Sequence, residues 1–328
     1  MMKKLILPKF NDILSAAEKI DGRTVETPLL KAQHLSEKLS AEIYVKPECL
    51  QRVGAFKFRG AFNRLCRLTD VEKKRGVVAY SSGNHAQGVA ASAKILGIKA
   101  TIVMPEDSPR MKLQNTKDYG ATVVTYNRET ESREEIADKI SKEQGCIVVP
   151  SFEDFYIISG QGTVGLEAIK QAQEKGVDLD LFMSPVGGGG LISGCSIAVK
   201  ELSPRTSVYG VEPEGFNDVQ RSIESGRIEK NPRMSGSICD AILTSHPEPM
   251  TYKIMSNNLS GVLTVSDQEV LIAMKYAWEK LKLVVEPGAC VALAAVLHGK
   301  IDVSGKSVCL VLSGGNVDEE TFIKALNS

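Results

Sequence analysis

Lys57 lies in the run Gly-Ala-Phe-Lys-Phe-Arg-Gly-Ala at residues 54–61, with apolar side chains on both sides of it. Contact with aromatic rings removes water from an ammonium group, which lowers its pKa and leaves more of the neutral amine that attacks carbonyl groups. That environment prepares a lysine for Schiff-base chemistry. A surface lysine with its stem on apolar neighbours is the ordinary alternative. Three further segments favour chemistry, at residues 81–85, 187–190 and 313–316.

The second segment consists of four glycines, Gly187, Gly188, Gly189 and Gly190. They follow a predicted strand at 181–185 and precede a predicted helix through 192–200. Backbone amides at such a place bind an anion, so a phosphate site is a better interpretation than a flexible turn. A dinucleotide site, with Glu212 as its acidic residue, fails because the glycines do not form Gly-x-Gly-x-x-Gly. A P-loop also fails, since Lys300 stands where its first glycine should be.

Polar residues open a helix after the predicted strand at 76–80. They are Ser81, Ser82, Asn84 and His85. Each serine or asparagine alone is explained as a helix cap. Together they offer hydroxyl and amide groups that can hold a carboxylate. His85 by itself is interpreted as structural, because no partner acid or cysteine is evident.

Composition excludes several classes of protein. The chain has 328 residues, of which 43% are hydrophobic and 24% charged, which is ordinary for a globular protein. Lysine plus arginine equals aspartate plus glutamate, 40 against 40, so we expect no nucleic-acid partner. The longest apolar stretch is too short to span a bilayer, and the N-terminus does not resemble a signal peptide. Seven scattered cysteines indicate reduced thiols in a cytoplasmic protein.

Short β-branched runs alternate with helical patterns, which predicts an α/β fold with mostly parallel sheets. Strands are predicted at 42–46, 76–80, 100–104, 122–125, 147–149, 181–185, 207–211 and 307–312. Helices are predicted at 87–96, 109–119, 133–144, 162–175 and 267–283. Residues 75–152 are predicted to form a small domain inserted into a large domain of residues 1–74 and 153–328. A small ligand is expected in the cleft between them.

Together these segments resemble the fold-type II pyridoxal-phosphate enzymes, specifically the threonine/serine dehydratase and serine racemase family, with a hydroxyaspartate dehydratase-like subgroup. The likeness runs from Thr27-Pro28-Leu29 to Ser313-Gly314-Gly315-Asn316. It includes Ser159-Gly160-Gln161-Gly162-Thr163 and Leu283-Val284-Val285-Glu286-Pro287. The resemblance implies a two-domain fold like that of the tryptophan synthase β subunit.

The resemblance implies that Lys57 forms a Schiff base with pyridoxal 5'-phosphate and later acts as the base. The other implied cofactor-binding residues are Phe56 at the ring, Asn84 at the phenolic oxygen, Gly187 to Gly190 with Leu191 at the phosphate, Glu286, and Ser313 at the pyridine nitrogen. The implied substrate-binding residues are Ser81, Ser82, Asn84 and His85. Because a serine at position 313 is neutral, the ring is a weaker electron sink, which favours β-elimination.

The same resemblance implies a site for a divalent cation, Mg²⁺, Ca²⁺ or Mn²⁺, at Glu212, the carbonyl of Phe216 and Asp218. Oxygen ligands suit such ions, although solvated loop carboxylates are the ordinary explanation for the two acids alone. The resemblance also implies a homodimer. Because the sequence continues little beyond Ser313, it implies no C-terminal regulatory domain and no feedback control by an end product.

The expected reaction is dehydration and deamination of a β-hydroxy amino acid to a 2-keto acid and ammonia. L-Threonine or L-serine is the default substrate, and 3-hydroxyaspartate is the contender. Threonine dehydratases usually have alanine at the position of Ser82, so this serine makes an amino-acid racemase the alternative function. A non-catalytic nucleotide- or ligand-binding protein is a second alternative. The sequence departs from the usual pattern of the family at Ala55, at residues 239–241 and at residues 152–157. These departures leave the expected cofactor chemistry unchanged but put the identity of the substrate in doubt.

Overall fold

Two mostly parallel β-sheets and the helices that cover them form the structure, a computed structural model that describes residues 5–81, 83–108, 110–127 and 129–328. The strands are β1 Leu30–Lys31, β2 Glu42–Pro47, β3 Val77–Tyr80, β4 Ala100–Pro105, β5 Thr122–Tyr126, β6 Ile147–Val148, β7 Leu181–Pro185, β8 Ser207–Pro213, β9 Gly261–Val265 and β10 Ser307–Leu312. The helices are α1 Phe10–Ile20, α2 Gln33–Leu39, α3 Lys57–Cys66, α4 Asp70–Arg75, α5 Asn84–Leu96, α6 Arg110–Asp118, α7 Arg133–Gln144, α8 Phe155–Glu174, α9 Gly190–Leu202, α10 Asp218–Ser225, α11 Pro249–Asn258, α12 Asp267–Tyr276, α13 Pro287–Leu297 and α14 Glu319–Leu326.

The larger sheet has the strand order β1-β2-β10-β7-β8-β9, and only the pairing of β1 with β2 is antiparallel among its described strands. The smaller sheet has the order β5-β4-β3-β6 and is parallel throughout. In β10, every residue from Val308 to Leu312 is buried. Helices cover both of its faces, which explains the uninterrupted apolar run in its sequence.

Eight predicted strands match observed strands to within two residues at either end. The two strands that the sequence pattern missed, β1 and β9, are the edges of the larger sheet. An edge strand needs less apolar sequence because one side lacks a neighbour, and β9 accordingly buries only Val262 and Val265. The predicted helix 267–283 ends at Tyr276 and continues as the π-helical turn Ala277–Leu281.

The long helix α8 begins at Phe155, seven residues before its predicted start at Gly162. Asp154 begins it, because its carboxylate accepts hydrogen bonds from the backbone N–H groups of Tyr156 and Ile157. Gly160 lies where α8 crosses α3, and a Cβ atom on it would lie 2.6 Å from the Cα of Gly60. These glycines therefore serve close helix contact, which fixes the helix that begins with Lys57.

All four strands of the smaller sheet lie between residues 77 and 148, and the larger sheet uses strands from both sides of that segment. The core under the smaller sheet also includes Ala61 and Leu65 of α3. The division into domains at residues 75 and 152 stays a prediction. Within the described part of the chain, no helix is both long and apolar enough to cross a bilayer.

Candidate active site

A cavity lies at the carboxyl ends of β3, β7 and β10, where the two sheets face each other. This is the edge at which parallel α/β sheets bind ligands. Its walls include these predicted residues: Phe56, Lys57, Ser81, Asn84, His85, Gly187, Gly188, Gly189, Gly190, Leu191, Glu286 and Ser313. Ser82 lies outside the described residues. The fold thus brings the described cofactor and substrate candidates to one place, and their individual roles stay predictions.

Lys57 is the first residue of α3, and its Nζ donates a hydrogen bond to the carbonyl of Ser151 at 2.8 Å. The ammonium also lies 5.2 Å from the centre of the Phe56 ring. Burial lowers the pKa of Lys57 to about 8, although the charge of Glu286 acts in the opposite direction. At pH 7 roughly a tenth of such a lysine is neutral amine, against roughly one part in three thousand at the ordinary pKa. The site therefore supplies a nucleophile.

The loop after β10 holds the start of α3 in place. The carbonyl of Ser313 accepts a hydrogen bond from the N–H of Phe56 at 3.1 Å, and the carbonyl of Gly54 accepts one from Gly315 at 2.8 Å. The N–H of Glu286 donates to the carbonyl of Gly314 at 3.1 Å. This one loop therefore sets the position of Ser313 relative to both Lys57 and Glu286.

Asn84 begins α5 and is held at both ends of its amide. Its Nδ2 donates to Oε1 of Glu286, and its Oδ1 accepts from Nδ2 of Asn316 at 2.8 Å. An amide nitrogen carries two hydrogens, so one donor of Asn84 remains for a ligand. Gly314 leaves room for this contact, because a Cβ atom on it would overlap Oε1 of Glu286 and displace the carboxylate. Burial raises the pKa of Glu286 to about 7, and Lys112 opposes that change.

His85 is buried, and its Nε2 lies 3.0 Å from the carbonyl of Val149. The carbonyl can only accept, so Nε2 carries the proton and Nδ1 presents a lone pair. Burial, with a smaller effect from Lys57, lowers the pKa of His85 to about 3. The ring is therefore neutral at physiological pH. It can orient a ligand, but it cannot transfer protons there in the way an ordinary histidine does.

The four glycines connect β7 to α9, and Gly189 has φ of 85°, a left-handed conformation that favours glycine. A Cβ atom on Gly188 would overlap the ring of Phe152. The loop therefore presents backbone amides at the N-terminus of α9, where the helix dipole favours an anion. Thr244 lines the same cavity, and its buried hydroxyl has no partner among the described residues. These groups suit a phosphate.

Several residues of the cavity wall were not in the predicted site, among them Lys112, Arg133, Asp240 and Thr244. Lys112 Nζ lies 2.9 Å from Oδ2 of Asp240 and 3.8 Å from Oε2 of Glu286. Arg133 lies over the ring of Tyr80, with its guanidinium carbon 5.3 Å from the ring centre. No sequence motif marks Lys112, Arg133 or Thr244, whereas Asp240 belongs to the segment 239–241 that departs from the family pattern. Lys112 and Arg133 belong to α6 and α7, and Asp240 and Thr244 lie between α10 and α11.

The predicted cation site is a separate buried cluster beside β8. Glu212 accepts hydrogen bonds from the backbone N–H groups of Val219 and Gln220, at 3.0 and 2.9 Å. Asp218 accepts one from Asn231 at 2.6 Å through Oδ1, and its buried Oδ2 has no partner among the described residues. Burial raises the pKa of Glu212 well above its usual value, with repulsion from Asp218 adding to it, and burial raises that of Asp218 to about 6. A cation would relieve both carboxylates.

The fold and the cavity define a two-sheet α/β protein in which a buried lysine and a glycine-rich loop at the start of a helix line one cavity. The lysine with its lowered pKa, the unpartnered Thr244 hydroxyl and the glycine cradle all fit pyridoxal phosphate. Residues 20–314 match the family model "Pyridoxal-phosphate dependent enzyme". The chain belongs to this family of pyridoxal-phosphate-dependent enzymes, and its neighbours are of fold type II.

Three relatives define its surroundings within the family. The L-threo-3-hydroxyaspartate ammonia-lyase of Saccharomyces cerevisiae is 43% identical over 320 residues, which cover 97% of this chain and 96% of the yeast protein. The serine racemase of Schizosaccharomyces pombe is 40% identical over 329 residues, the whole of both chains. The crystal structure of the T.th. threonine deaminase superposes with a TM-score of 0.89 at 41% identity, covering 95% of this chain and 99% of that one. These relatives are consistent with β-elimination from hydroxy amino acids.

Proposed function

We propose that the protein eliminates water from a β-hydroxy amino acid that carries a second carboxylate, as L-threo-3-hydroxyaspartate does, after which hydrolysis by one water molecule releases ammonia and the 2-keto acid. The observation that carries the choice of substrate is Arg133 in the cavity wall. The ammonia-lyase at 43% identity supports the same choice. L-Serine and L-threonine remain the smaller substrates against which this preference is measured.

In the proposed reaction, Lys57 would hold the cofactor through Nζ until the substrate amine takes its place, and Nζ would then accept the α-proton. Its pKa of about 8 suits that role, because the neutral amine is available near neutral pH. Ser81 and Asn84 orient the α-carboxylate. When bound, pyridoxal phosphate accepts the electron pair released at the α-carbon, and Ser313 leaves it a moderate electron sink.

Arg133 can receive the second carboxylate. It is the first residue of α7, and its ion-pair partner Glu134 is the next residue of the same helix, at 2.8 Å. The side chain of Arg133 is 38% exposed and that of Glu134 is 53% exposed, so this pair is solvated and easily exchanged. A guanidinium offers two parallel donors to a carboxylate. The guanidinium packs on the ring of Tyr80, which lines the same cavity.

The substrate preference is tested with purified enzyme, detecting the 2-keto acid from each amino acid. We expect kcat/KM for L-threo-3-hydroxyaspartate to exceed that for L-serine by at least about tenfold. In Arg133→Ala the value for hydroxyaspartate should fall by about 10- to 100-fold, because a charged hydrogen bond is lost. The value for L-serine should stay within about threefold, because it has no second carboxylate to lose.

Lys139→Ala is the matched control, since Lys139 is an exposed cation on the same helix. It should leave both substrates unchanged. Equal losses for serine and hydroxyaspartate in Arg133→Ala would contradict the assigned contact. Faster turnover of serine or threonine than of hydroxyaspartate by the unmodified enzyme would contradict the substrate.

Amino-acid racemisation is the second candidate, favoured by the serine racemase that matches this chain over its whole length. Its proposed proton donor is Ser82, the role that the resemblance to racemases implies for this residue. The sequence provides that serine, although it lies outside the described residues. Chiral analysis of the same reactions distinguishes the two functions, since a racemase accumulates the D-isomer and a lyase accumulates the keto acid.

We also propose that Glu212, Asp218 and the carbonyl of Phe216 bind a divalent cation. The unpartnered Oδ2 of Asp218 and the raised pKa values of both acids support this assignment. Three groups of this kind suit Mg²⁺, Ca²⁺ or Mn²⁺, which prefer oxygen ligands. The site stabilises β8 and the start of α10, away from the residues that act on the substrate.

Removal of the cation with a chelator is expected to lower the melting temperature by about 4 °C, the effect of a ligand present at about a hundred times its Kd. Added Mg²⁺ or Mn²⁺ should restore it. The response should weaken as the pH falls through about 6, because protons then compete for Asp218. Glu212→Gln should lose the response and Glu214→Gln, an exposed neighbour, should keep it. An unmodified protein whose melting is unaffected by chelator would refute the site.

A homodimer and a cytoplasmic location complete the proposal. The homodimer rests on the resemblance to the family, and the location rests on the cysteines. All seven cysteines are free thiols, which suits a reducing compartment.

A further inference from the structure

Lys112 is a buried cation inside a polar helix. Its side chain is 3% exposed, whereas its apolar neighbour Met111 is 40% exposed. Lysines are rarely buried unless charged groups pair with them. Burial acts to lower the pKa of Lys112, but Glu286 and Asp240 outweigh it and the pKa is raised. Lys112 therefore stays an ammonium ion within the cavity wall.

The side chain of Lys112 contacts three separate parts of the site. Its stem lies against the backbone of Gly83, where a Cβ atom would lie 3.2 Å from Cδ of the lysine. Its ammonium lies 2.9 Å from Asp240, which begins the 3₁₀ helix Asp240–Ile242, and 3.8 Å from Glu286, which precedes α13. Lys112 belongs to α6, beside the smaller sheet, and both acids belong to the part of the chain built on the larger sheet. The lysine thus bridges the cleft.

The charge of Glu286, and with it the hydrogen bond to Asn84, depends on the ammonium group of Lys112. Its Oε1 accepts from Asn84, but its buried Oε2 has no hydrogen-bond partner among the described residues. An ionised carboxylate accepts from Nδ2 of Asn84 and so fixes the direction of the amide, while Asn316 holds the other end. A protonated Glu286 can donate instead, which weakens that preference.

We propose that Lys112 is a positioning residue that links the two halves of the site and keeps Glu286 ionised, so that Asn84 is fixed in the direction that the cofactor needs. The effect of Lys112 on catalysis rests on the proposed function. Its effects on the charge of Glu286 and on the link between the two halves of the site exist without substrate. Lys112 acts through Glu286 and Asn84 and does not touch the reacting atoms.

Several groups act on the charge of Glu286. They are Lys112 on α6, Lys57 on α3, Asp240, and the thiols of Cys49, Cys239 and Cys290, which burial keeps neutral. Lys112 lowers the pKa of Glu286, and Asp240 raises it. Removing the lysine must therefore raise the pH at which Glu286 takes up a proton. The acid limb of any property that needs ionised Glu286 should move to higher pH.

The experiment compares Lys112→Met with Lys117→Met, which removes an exposed lysine from the same helix. The first readout is the visible absorbance of the bound cofactor against pH, without substrate. We expect its acid midpoint to rise by about one pH unit in Lys112→Met and to stay in place in Lys117→Met. Lys112→Arg, which keeps the charge, should restore the midpoint. The acid limb of kcat/KM for L-serine should move with it.

The second readout is hydrogen exchange of the cofactor-free protein. Exchange in α6 should rise at least about fivefold in Lys112→Met and in Asp240→Asn, because each variant breaks the bridge. Lys112→Gln, which keeps a donor without the charge, replaces the methionine variant if that one does not fold. An unchanged absorbance midpoint together with unchanged exchange of α6 would overturn the proposal. Because neither measurement uses a substrate, a wrong choice of reaction does not affect them.

Discussion

Replacing Lys57 with alanine is expected to reduce kcat by at least about 1,000-fold and to remove the visible absorbance band of the covalently bound cofactor. The variant loses both the amine that binds the cofactor and the base that takes the α-proton. Among the described residues, the side chain donates one hydrogen bond, to the carbonyl of Ser151. Its loss should therefore leave the fold and the melting temperature of the cofactor-free protein nearly unchanged.

Two further variants make this result specific. Lys57→Arg keeps a positive charge near Phe56 but cannot form the Schiff base, so it should also lack the band and the activity. Lys38→Ala removes an exposed lysine of α2 and should behave as the unmodified enzyme. A Lys57→Ala protein that keeps the band and turns over substrate would show that another lysine carries the cofactor.

Much of the site could be predicted from the sequence because its parts are short and lie directly after strands. The glycines after β7 and Ser313 after β10 come together because parallel strands end at one edge of the larger sheet, and the polar residues after β3 reach the same cavity because the carboxyl ends of the two sheets face each other. The strands themselves are short, mostly apolar runs that are buried on both faces, so a central strand is the natural prediction for each of them. The family membership that these motifs indicated is confirmed by the match over residues 20–314.

The charged residues that the helices beside the smaller sheet bring to the cavity could not be predicted from motifs that follow strands. In α6, the apolar Met111 is exposed and Lys112 is buried, because Asp240 and Glu286, from the part of the chain built on the larger sheet, face the lysine. Arg133 looks like an ordinary exposed residue at a helix start. Only the relative position of the two sheets shows that both cations border one cavity. Such tertiary charge pairs leave no local pattern in a sequence.

The Ser159-Gly160-Gln161-Gly162-Thr163 motif shows the opposite case, a segment whose place in the family was recognised but whose physical role was not. Its glycines lie in the middle of α8, where they would ordinarily weaken a helix. Gly160 meets the backbone of α3, and Gly162 meets Ile13 and Gly194. The motif therefore sets how closely α3, and with it Lys57, approaches the larger sheet.

Arg59, two residues after Lys57, is expected to be the most important single residue for the stability of this helix. Its side chain is fully buried between Glu48, with N–O distances of 2.7 and 2.8 Å, and Glu167, which accepts from both terminal nitrogens. Arg59→Met should lower the free energy of unfolding by about 3–5 kcal/mol, since it strands a buried carboxylate. The corresponding fall in melting temperature is roughly 5 °C or more, measured by calorimetry.

The matched control is Arg205→Met, which breaks an ion pair of 3.8 Å whose two side chains are 92% and 89% exposed. It should change stability by less than about 1 kcal/mol, because water replaces the lost contact. Adding Glu48→Gln to Arg59→Met should recover part of the loss, since the stranded charge is then removed. If Arg59→Met melts like the unmodified protein, the buried cluster is not what fixes α3. If it is unstable but fully active, the position of Lys57 does not depend on it.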